Sequence, residues 1–161
     1  MEVKHLIEHL GLLPHPEGGY YKETYRSESI SDFEGFDGKR NYSTGIYFLI
    51  EKNNFSALHR IKSDEMWHFY GGDPLEVIEI TLDGTLKTTL IGNNISAGEV
   101  PQYVVPKHHW FGSRVKTGGL FSFVGCTVAP GFDFKDFEMA ERKSLSEEFP
   151  QHALIIHEMT R

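Results

Sequence analysis

The sequence has very little cysteine and no long apolar segment. Cys126 is the only cysteine among 161 residues, so an internal disulfide is excluded and a reducing compartment is expected. No apolar run approaches the ~20 residues of a transmembrane helix. The N-terminal stretch MEVKHLIEHLGLLPHPEGG lacks the basic start, apolar run and small-residue cleavage site of a signal peptide. We therefore expect a cytoplasmic protein without a membrane partner.

Clusters of basic residues are also missing. The formal net charge is -7 and the sequence pI is about 5.7. A nucleic-acid partner requires a basic surface that neutralises phosphates, so we expect none. The sequence contains no P-loop, G-x-S-x-G, H-E-x-x-H or C-x-x-C motif, and the enzyme classes that these motifs mark are not indicated.

What the sequence does contain is a series of short strand-like segments. Aromatic residues make up 13% of the chain and there are 16 glycines, which favours β structure because rings pack on pleated surfaces and glycine serves turns. From Ser43 onwards, strand-like segments follow one another with turn signals between them. Asp83–Gly84 is the strongest hairpin signal. This pattern predicts a β sandwich or barrel.

One domain covering residues 1–161 is predicted, all-β with short helices at both ends. Apolar residues at helical spacing, followed by a glycine, predict a helix over about residues 2–11. The barrel is predicted over about residues 17–134 and a helical tail over about 135–161. The polar segment 28–41 is predicted to be a loop, with a lid over a site as the alternative.

His59 and Glu65 are the main candidates for chemistry. The two-residue alternation of a strand places His59 on the same face as Ile61, and Glu65 on the same face as Trp67. Both side chains are therefore expected to point into the barrel. A carboxyl in such a place has a raised pKa unless a cation or metal keeps it charged. A hydrogen-bonded core histidine and a structural ion pair are the alternatives.

Other polar and aromatic residues are expected to converge on the same space. Tyr47 lies within the strand-like segment GIYFLI. The predicted ligand-contacting residues are Trp67, His68, Gln102, Trp110 and Tyr20. His68 and Glu65 lie on opposite faces of one regular strand, so both face inward only if a bulge lies between them. Glu17, in PEGGYY, is a candidate to close one end of the barrel.

Four segments together resemble the poorly characterised cupin-five family of the RmlC-like cupin superfamily. They are HRIKSDEMWHFYGGDPLEV, HPEGGYYKETYRS, VPKHHWFGS and VAPGFDF, and the resemblance runs from about residue 12 to residue 137. It implies a double-stranded β-helix, the jelly-roll cupin barrel, with a small-molecule pocket in its mouth. It also implies a homodimer.

The resemblance places only half of the superfamily's usual metal ligands in this chain. In the first metal motif His59 takes the first histidine position, Glu65 the glutamate position and Gly72 the glycine position, whereas Ile61 replaces the second histidine. In the second motif Phe111 stands at the histidine position. Metals such as iron, manganese and zinc normally need three or more protein ligands. We therefore assign no cofactor from the sequence, and a bound divalent metal is the alternative.

Sugar-nucleotide epimerases of the superfamily resemble this chain in keeping a histidine without a full metal shell. The resemblance implies that His59 acts as a general base on a C–H next to a carbonyl and that Tyr47, Tyr20 or Tyr103 returns a proton. Glu65 is expected to orient the histidine if their strands are neighbours. The hypothesis is an epimerase, isomerase or hydrolase acting on a sugar or nucleotide sugar. The alternatives are a non-catalytic ligand-binding cupin and a metal-dependent isomerase or hydrolase. In the latter, His59, Glu65 and either Gln102 or His68 hold the metal.

Overall fold

The chain forms two antiparallel β-sheets with helices at both ends of the sequence. The computed structural model describes residues 2–161. In chain order the strands are β1 (Leu13–Pro14), β2 (Tyr20–Arg26), β3 (Ile30–Ser31), β4 (Arg40–Asn41), β5 (Thr44–Glu51), β6 (Phe55–Arg60), β7 (Asp64–Gly72), β8 (Leu75–Ile80), β9 (Leu86–Ile91), β10 (Gln102–Val105), β11 (Trp110–Val115), β12 (Phe121–Ala129) and β13 (Glu138–Met139). The helices are α1 (Val3–Leu10), α2 (Arg142–Glu148) and α3 (Ala153–Glu158).

The two large sheets have the strand arrangement of a jelly roll. The six-stranded sheet has the order β1-β2-β5-β12-β7-β10, and the five-stranded sheet has the order β13-β6-β11-β8-β9. β3 and β4 form a separate small hairpin. Neighbours within the sheets are antiparallel. The predicted all-β fold with short terminal helices is confirmed.

The main core lies between the two sheets. Alternate residues of each strand point into this space, so Phe48 of β5, Trp67 of β7 and Phe111 of β11 pack there. Trp67 meets Phe48 and Phe111 edge to face, with ring centroids 6.0 and 6.3 Å away. These large rings fill part of the interior, and the remaining space is the cavity described below.

Helices cover the outer faces of both sheets. Helix α1 packs Leu6 against Leu49 and Phe123 of the six-stranded sheet. Helix α3 packs Ile156 against Ile78 of the five-stranded sheet. The covered strands are therefore apolar on both faces, which is why segments such as LEVIEI in β8 read as nearly continuous hydrophobic runs.

The first helix and the β8–β9 hairpin are confirmed. The first helix ends at Gly11, which has a left-handed backbone (φ 65°) and donates its N–H to the carbonyl of Ile7. β8 and β9 pair as a hairpin across Asp83–Gly84. Among residues 2–161, no helix combines the length and the hydropathy needed to cross a membrane.

Candidate functional site

A cavity of about 630 Å³ opens between the two sheets. This volume lies in the range of small-molecule sites. Its apolar wall consists of Leu13, Tyr21, Ile46, Val128, Phe132 and Phe134, and its polar interior consists of His15, Glu17, His59, Glu65 and Cys126. Further polar side chains at the cavity are Lys22, Glu23, Arg26, Thr44 and Asp133.

His59 reaches the cavity from β6, as its strand parity predicts. It is 3% exposed and pairs in register with Phe111 of β11 and Met139 of β13. The Phe111 and Phe137 rings pack beside the imidazole, with centroids 4.2 and 5.2 Å away. These contacts restrain the orientation of the ring within an apolar setting.

Glu17 is the partner of His59, and it comes from the turn that precedes β2. Its Oε2 lies 3.1 Å from Nε2 of His59. The turn closes through a hydrogen bond from the Gly18 N–H to the His15 carbonyl and another from the His15 N–H to the Gly19 carbonyl, at 3.0 and 2.9 Å. Glu17, and not Glu65, is thus the carboxyl that contacts His59, and the expectation that Glu65 holds this ring is corrected.

The hydrogen bond on the other ring nitrogen of His59 fixes where its proton lies. Nδ1 is 2.7 Å from the carbonyl oxygen of Ala57. A carbonyl only accepts, so Nδ1 carries hydrogen. Nε2 then has no hydrogen in the neutral ring, and its contact with Glu17 requires one more proton. That proton sits either on Oε2 of Glu17 or on Nε2 of a charged His59.

Burial favours the neutral form of this pair. Desolvation lowers the pKa of His59, and it raises the pKa of Glu17. Both directions place the proton on Glu17, which then donates an O–H to Nε2 of His59. Such a pair holds one transferable proton inside the cavity.

Glu65 is a second carboxyl with a shifted pKa in the same cavity. It lies on β7, opposite Val105 of β10 and Val128 of β12. Burial raises its pKa to about 7, with Glu17 adding to the effect and His59 opposing it. Burial and then the charge of Glu65 raise the pKa of the neighbouring Cys126 thiol. Near neutral pH, Glu65 therefore exists in both its acid and its base form.

His15 adds a second imidazole to the cavity, which the sequence reasoning missed. Its Nδ1 accepts the backbone N–H of Glu17 at 3.2 Å, so its proton lies on Nε2 when the ring is neutral. Burial lowers its pKa. Because Nδ1 accepts this bond, the 3.8 Å approach of Nδ1 to Oε1 of Glu17 is not an ion pair. The segment HPEGG, which contains His15 and Glu17 and belongs to the family resemblance, could have indicated this histidine.

Two of the predicted residues lie beneath helix α1. Tyr47 and Tyr20 pack with the apolar cluster between this helix and the outer face of the six-stranded sheet. Tyr47 has the opposite strand parity from Ile46, which lines the cavity. The expectation that Tyr47 serves as an acid beside His59, and that Tyr20 contacts a ligand there, is therefore corrected.

His68 and Gln102 also lie on the outer face of this sheet. They are opposite each other in the β7–β10 pairing. Nε2 of Gln102 donates to Nδ1 of His68 at 3.1 Å, and Nε2 of His68 donates to Oγ1 of Thr127 at 2.8 Å. Gln102 therefore does not join His59 and Glu65 in a metal shell, because regular alternation sends it to the other side.

The two tryptophans do not line the cavity either. Trp67 is inside the sandwich but is embedded in the core against Phe48 and Phe111. Trp110 lies on the outer face of the five-stranded sheet, in the cluster formed with α2 and α3. The guanidinium of Arg60 covers it at 4.3 Å. The aromatic side chains that line the cavity are instead Tyr21, Phe132 and Phe134.

The loop predicted as an alternative lid lies apart from the cavity lining. Residues 28–41 contain the β3–β4 hairpin, and none of the lining residues falls in this range. The segment after β12 takes that place and contributes Phe132, Asp133 and Phe134. It is fastened by the Arg40–Asp136 ion pair at 2.7 Å, whose side chains are buried.

The superfamily's metal does not fit the side chains in their present arrangement. Within residues 2–161, no group of three or more His, Cys, Asp or Glu side chains is placed to hold a metal ion. Nε2 of His59 faces Glu17, and Ile61 and Phe111 are buried core residues.

Comparison with known proteins identifies the family. Residues 4–140 match the family Cupin_5, described as cupin superfamily (DUF985). The chain is 30% identical over 146 residues to the uncharacterized protein YML079W of Saccharomyces cerevisiae, covering 83% of this chain and 73% of that protein. The chain therefore belongs to this cupin family, and the predicted resemblance is confirmed.

Solved structures agree with this assignment. A hypothetical protein from Leishmania major is 38% identical, with a TM-score of 0.95 over 99% of each chain. Oxalate decarboxylase from Bacillus subtilis matches with a TM-score of 0.56 and 11% identity, over 91% of this chain and 36% of that one. This distant likeness shows the cupin fold alone.

Proposed function

We propose that the protein is an enzyme that moves protons on a small sugar or related hydroxy-carbonyl compound, as an isomerase or epimerase does. The observation that carries the proposal is the buried contact between Nε2 of His59 and Oε2 of Glu17, with Nδ1 of His59 held on the Ala57 carbonyl. A structural ion pair does not need to face a cavity of this size. General acid–base catalysis needs groups with pKa values near neutrality that reach the substrate.

The cavity contains two units that can exchange a proton with a bound molecule. One is the Glu17–His59 pair, and the other is Glu65, whose pKa is about 7. One unit, in its basic form, removes a proton from a carbon next to a carbonyl while the other protonates the carbonyl oxygen. The resulting enediol becomes an isomer when one unit returns a proton to a carbon of the double bond and the other removes the proton of a hydroxyl, which becomes the new carbonyl. Both units then regain their starting protonation states, and no oxidant or reductant is consumed.

The charges around the cavity favour a neutral substrate over a nucleotide sugar. The interior contributes two carboxyls and two imidazoles whose lowered pKa values disfavour the cationic form, so these groups offer no positive charge to neutralise a diphosphate. The two cationic side chains at the cavity are already engaged: Nζ of Lys22 donates to the Leu10 carbonyl at 2.9 Å, and Arg26 pairs with Glu23 at 2.8 Å. The apolar wall formed by Tyr21, Phe132 and Phe134 suits the face of a sugar ring.

A non-catalytic ligand-binding cupin is the second candidate. The buried apolar residues Ile61 and Phe111 at metal-ligand positions of the superfamily favour it, because the fold can keep its pocket when catalysis is lost. This candidate predicts ligands that raise the melting temperature of the protein but are not changed by it.

Hydrogen exchange with solvent separates the two candidates. The protein is incubated in D₂O with a panel of aldoses, ketoses and smaller hydroxy-carbonyl compounds, and loss of C–H signals is followed by proton NMR. We expect exchange next to the carbonyl of at least one compound, and a loss of at least about 100-fold in its rate in His59→Gln and Glu17→Gln. Binding without exchange across the panel contradicts catalysis and supports the binding module.

A further inference from the structure

The turn that carries Glu17 is clamped by a residue from the far end of the sequence. The backbone carbonyl of Glu17 accepts two hydrogen bonds. One comes from the N–H of Ala57 in β6 at 2.8 Å, and the other comes from Nη1 of Arg161 at 2.6 Å. The carbonyl of Ala57 accepts the hydrogen on Nδ1 of His59. The backbone of Ala57 therefore bonds both members of the acid–base pair.

Arg161 makes several directional contacts at once. Its Nη2 donates to the Phe55 carbonyl at 2.8 Å and to Oδ1 of Asn54 at 3.0 Å. Its guanidinium also lies 4.0 Å from the centroid of the Phe55 ring. The planar guanidinium fork satisfies three acceptors and one aromatic face, and a lysine cannot reproduce this arrangement.

The neighbouring Gly18 shows that this approach is built into the backbone. Gly18 has φ +112°, and a Cβ there would lie 2.1 Å from the Phe55 carbonyl oxygen and 2.6 Å from Nη2 of Arg161. The turn therefore passes against β6 and Arg161 at a distance that a side chain would prevent.

We propose that Arg161 is a positioning residue for Glu17. By bonding the Glu17 carbonyl and the adjoining end of β6 together, it holds the Glu17 carboxyl against Nε2 of His59. The inference rests on the proposed function, in which this pair is the acid–base unit. Arg161 acts through Glu17 and does not itself line the cavity.

The charge of Arg161 also affects the pKa of Glu17. Burial raises the pKa of Glu17, whereas His15 and, to a smaller extent, the Arg161 guanidinium lower it. Arg161 thus opposes the retention of the proton by Glu17 and keeps the pair able to give it up. Loss of Arg161 should make Glu17 hold its proton to higher pH.

Nitrogen-15 NMR of the His59 ring in Arg161→Ala, Arg161→Lys and the wild type tests the proposal. We expect Arg161→Ala to raise the pH midpoint of the His59 resonances by roughly half a pH unit or more. It should also broaden them, because the turn becomes mobile. Arg161→Lys keeps a positive charge but not the fork, and should broaden the resonances with a smaller change in midpoint.

Arg114→Ala is the matched control. Arg114 bonds Glu76 at 2.8 Å and Glu158 of α3 at 2.9 Å, so its loss weakens the same end of the chain without touching Glu17. Wild-type His59 signals in both Arg161 variants would overturn the proposal, and so would equal changes in Arg114→Ala. If Arg161→Ala fails to fold, Arg161→Lys decides between the same outcomes.

This readout is independent of turnover. If no compound exchanges hydrogen but the Arg161 variants alter His59 as expected, the clamp stands and the proposed function fails. If exchange is found and the Arg161 variants leave the His59 signals and the exchange rate unchanged, the function stands and the clamp fails.

Discussion

At the scale of single residues, the hydrogen on Nδ1 of His59 determines the chemistry of the cavity. The Ala57 carbonyl holds that hydrogen, so the second nitrogen of the ring must meet Glu17 through a further proton. Glu65 supplies another protonatable group in the same space. Three polar side chains buried among rings would be costly as isolated charges, and shared protons reduce this cost.

Removal of the Glu65 carboxyl should change how stability depends on pH. The pKa of Glu65 is about 7 in the folded protein, against an ordinary value of 4.5. Between these values the folded state binds more protons than the unfolded state, so stability falls as the pH rises through this window. Glu65→Gln has no titrating carboxyl at this position, so its stability does not fall in this way. The difference in free energy of unfolding between the variant and the wild type should shift by roughly 3 kcal/mol in favour of the variant between about pH 4.5 and about pH 8.

Urea unfolding of both proteins across this range measures the difference. The lowered pKa values of His15 and His59 act oppositely, because their contribution is lost as the pH falls below 6.5. Subtraction of the variant's curve from that of the wild type leaves the contribution of Glu65 together with its electrostatic coupling to His59. Glu34→Gln, which removes an exposed carboxyl on the loop, serves as the control. A constant offset between wild type and Glu65→Gln at all pH values would contradict the prediction.

At the scale of elements, the sequence predicted strands and turns better than it predicted which face each residue occupies. His59 was placed inward correctly because it shares a face with Ile61, and Glu65 because it shares a face with Trp67. The β-bulge in β6 lies before His59, between Ser56 and His59, and leaves this local parity intact. Tyr47 was misplaced because helix α1 covers β5 from outside, so both faces of the segment GIYFLI are apolar. The sequence pattern of this strand therefore does not show which face points into the cavity. Glu17 was recognised near the barrel end, but its pairing with His59 depends on a contact between residues far apart in sequence.

The packing of α3 against the five-stranded sheet gives a direct test of this element. Ile156 is 0% exposed in the cluster with Leu58 and Ile78, whereas Leu154 on the same helix is 77% exposed. Ile156→Ala should lower the free energy of unfolding by about 2–4 kcal/mol, because it leaves a cavity. Leu154→Ala should change it by less than about 0.5 kcal/mol. Equal effects of the two substitutions in chemical denaturation would contradict the packing.

At the scale of the whole molecule, the cupin fold supplies a pocket and the family assignment alone does not define a reaction. The chain carries a formal charge of -7, yet the polar groups within its cavity are two carboxyls and two histidines whose pKa shifts favour neutral forms. The wall is apolar and aromatic. These properties of the cavity are the basis on which we propose a small uncharged ligand.

The homodimer stays a prediction, and exposed apolar residues suggest where it forms. Tyr25 on β2, Ile30 on β3 and Tyr42 after β4 are each more than half exposed, which is typical of interaction surfaces when such residues cluster. Light scattering should give about twice the chain mass of 18.4 kDa. Ile30→Asp should weaken this association, whereas Leu154→Asp on α3 should not. A monomeric wild type, or equal effects of both substitutions, would contradict the prediction.

The protonation state of the Glu17–His59 pair is the measurement that tests the account most directly. Nitrogen-15 NMR of the wild type should show His59 with hydrogen on Nδ1 and with Nε2 accepting a hydrogen bond, and Glu17→Gln should alter the Nε2 resonance. The pair should titrate as one unit. A His59 that carries its hydrogen on Nε2 when neutral, or that titrates identically with and without the Glu17 carboxyl, would contradict the shared proton and the acid–base function built on it.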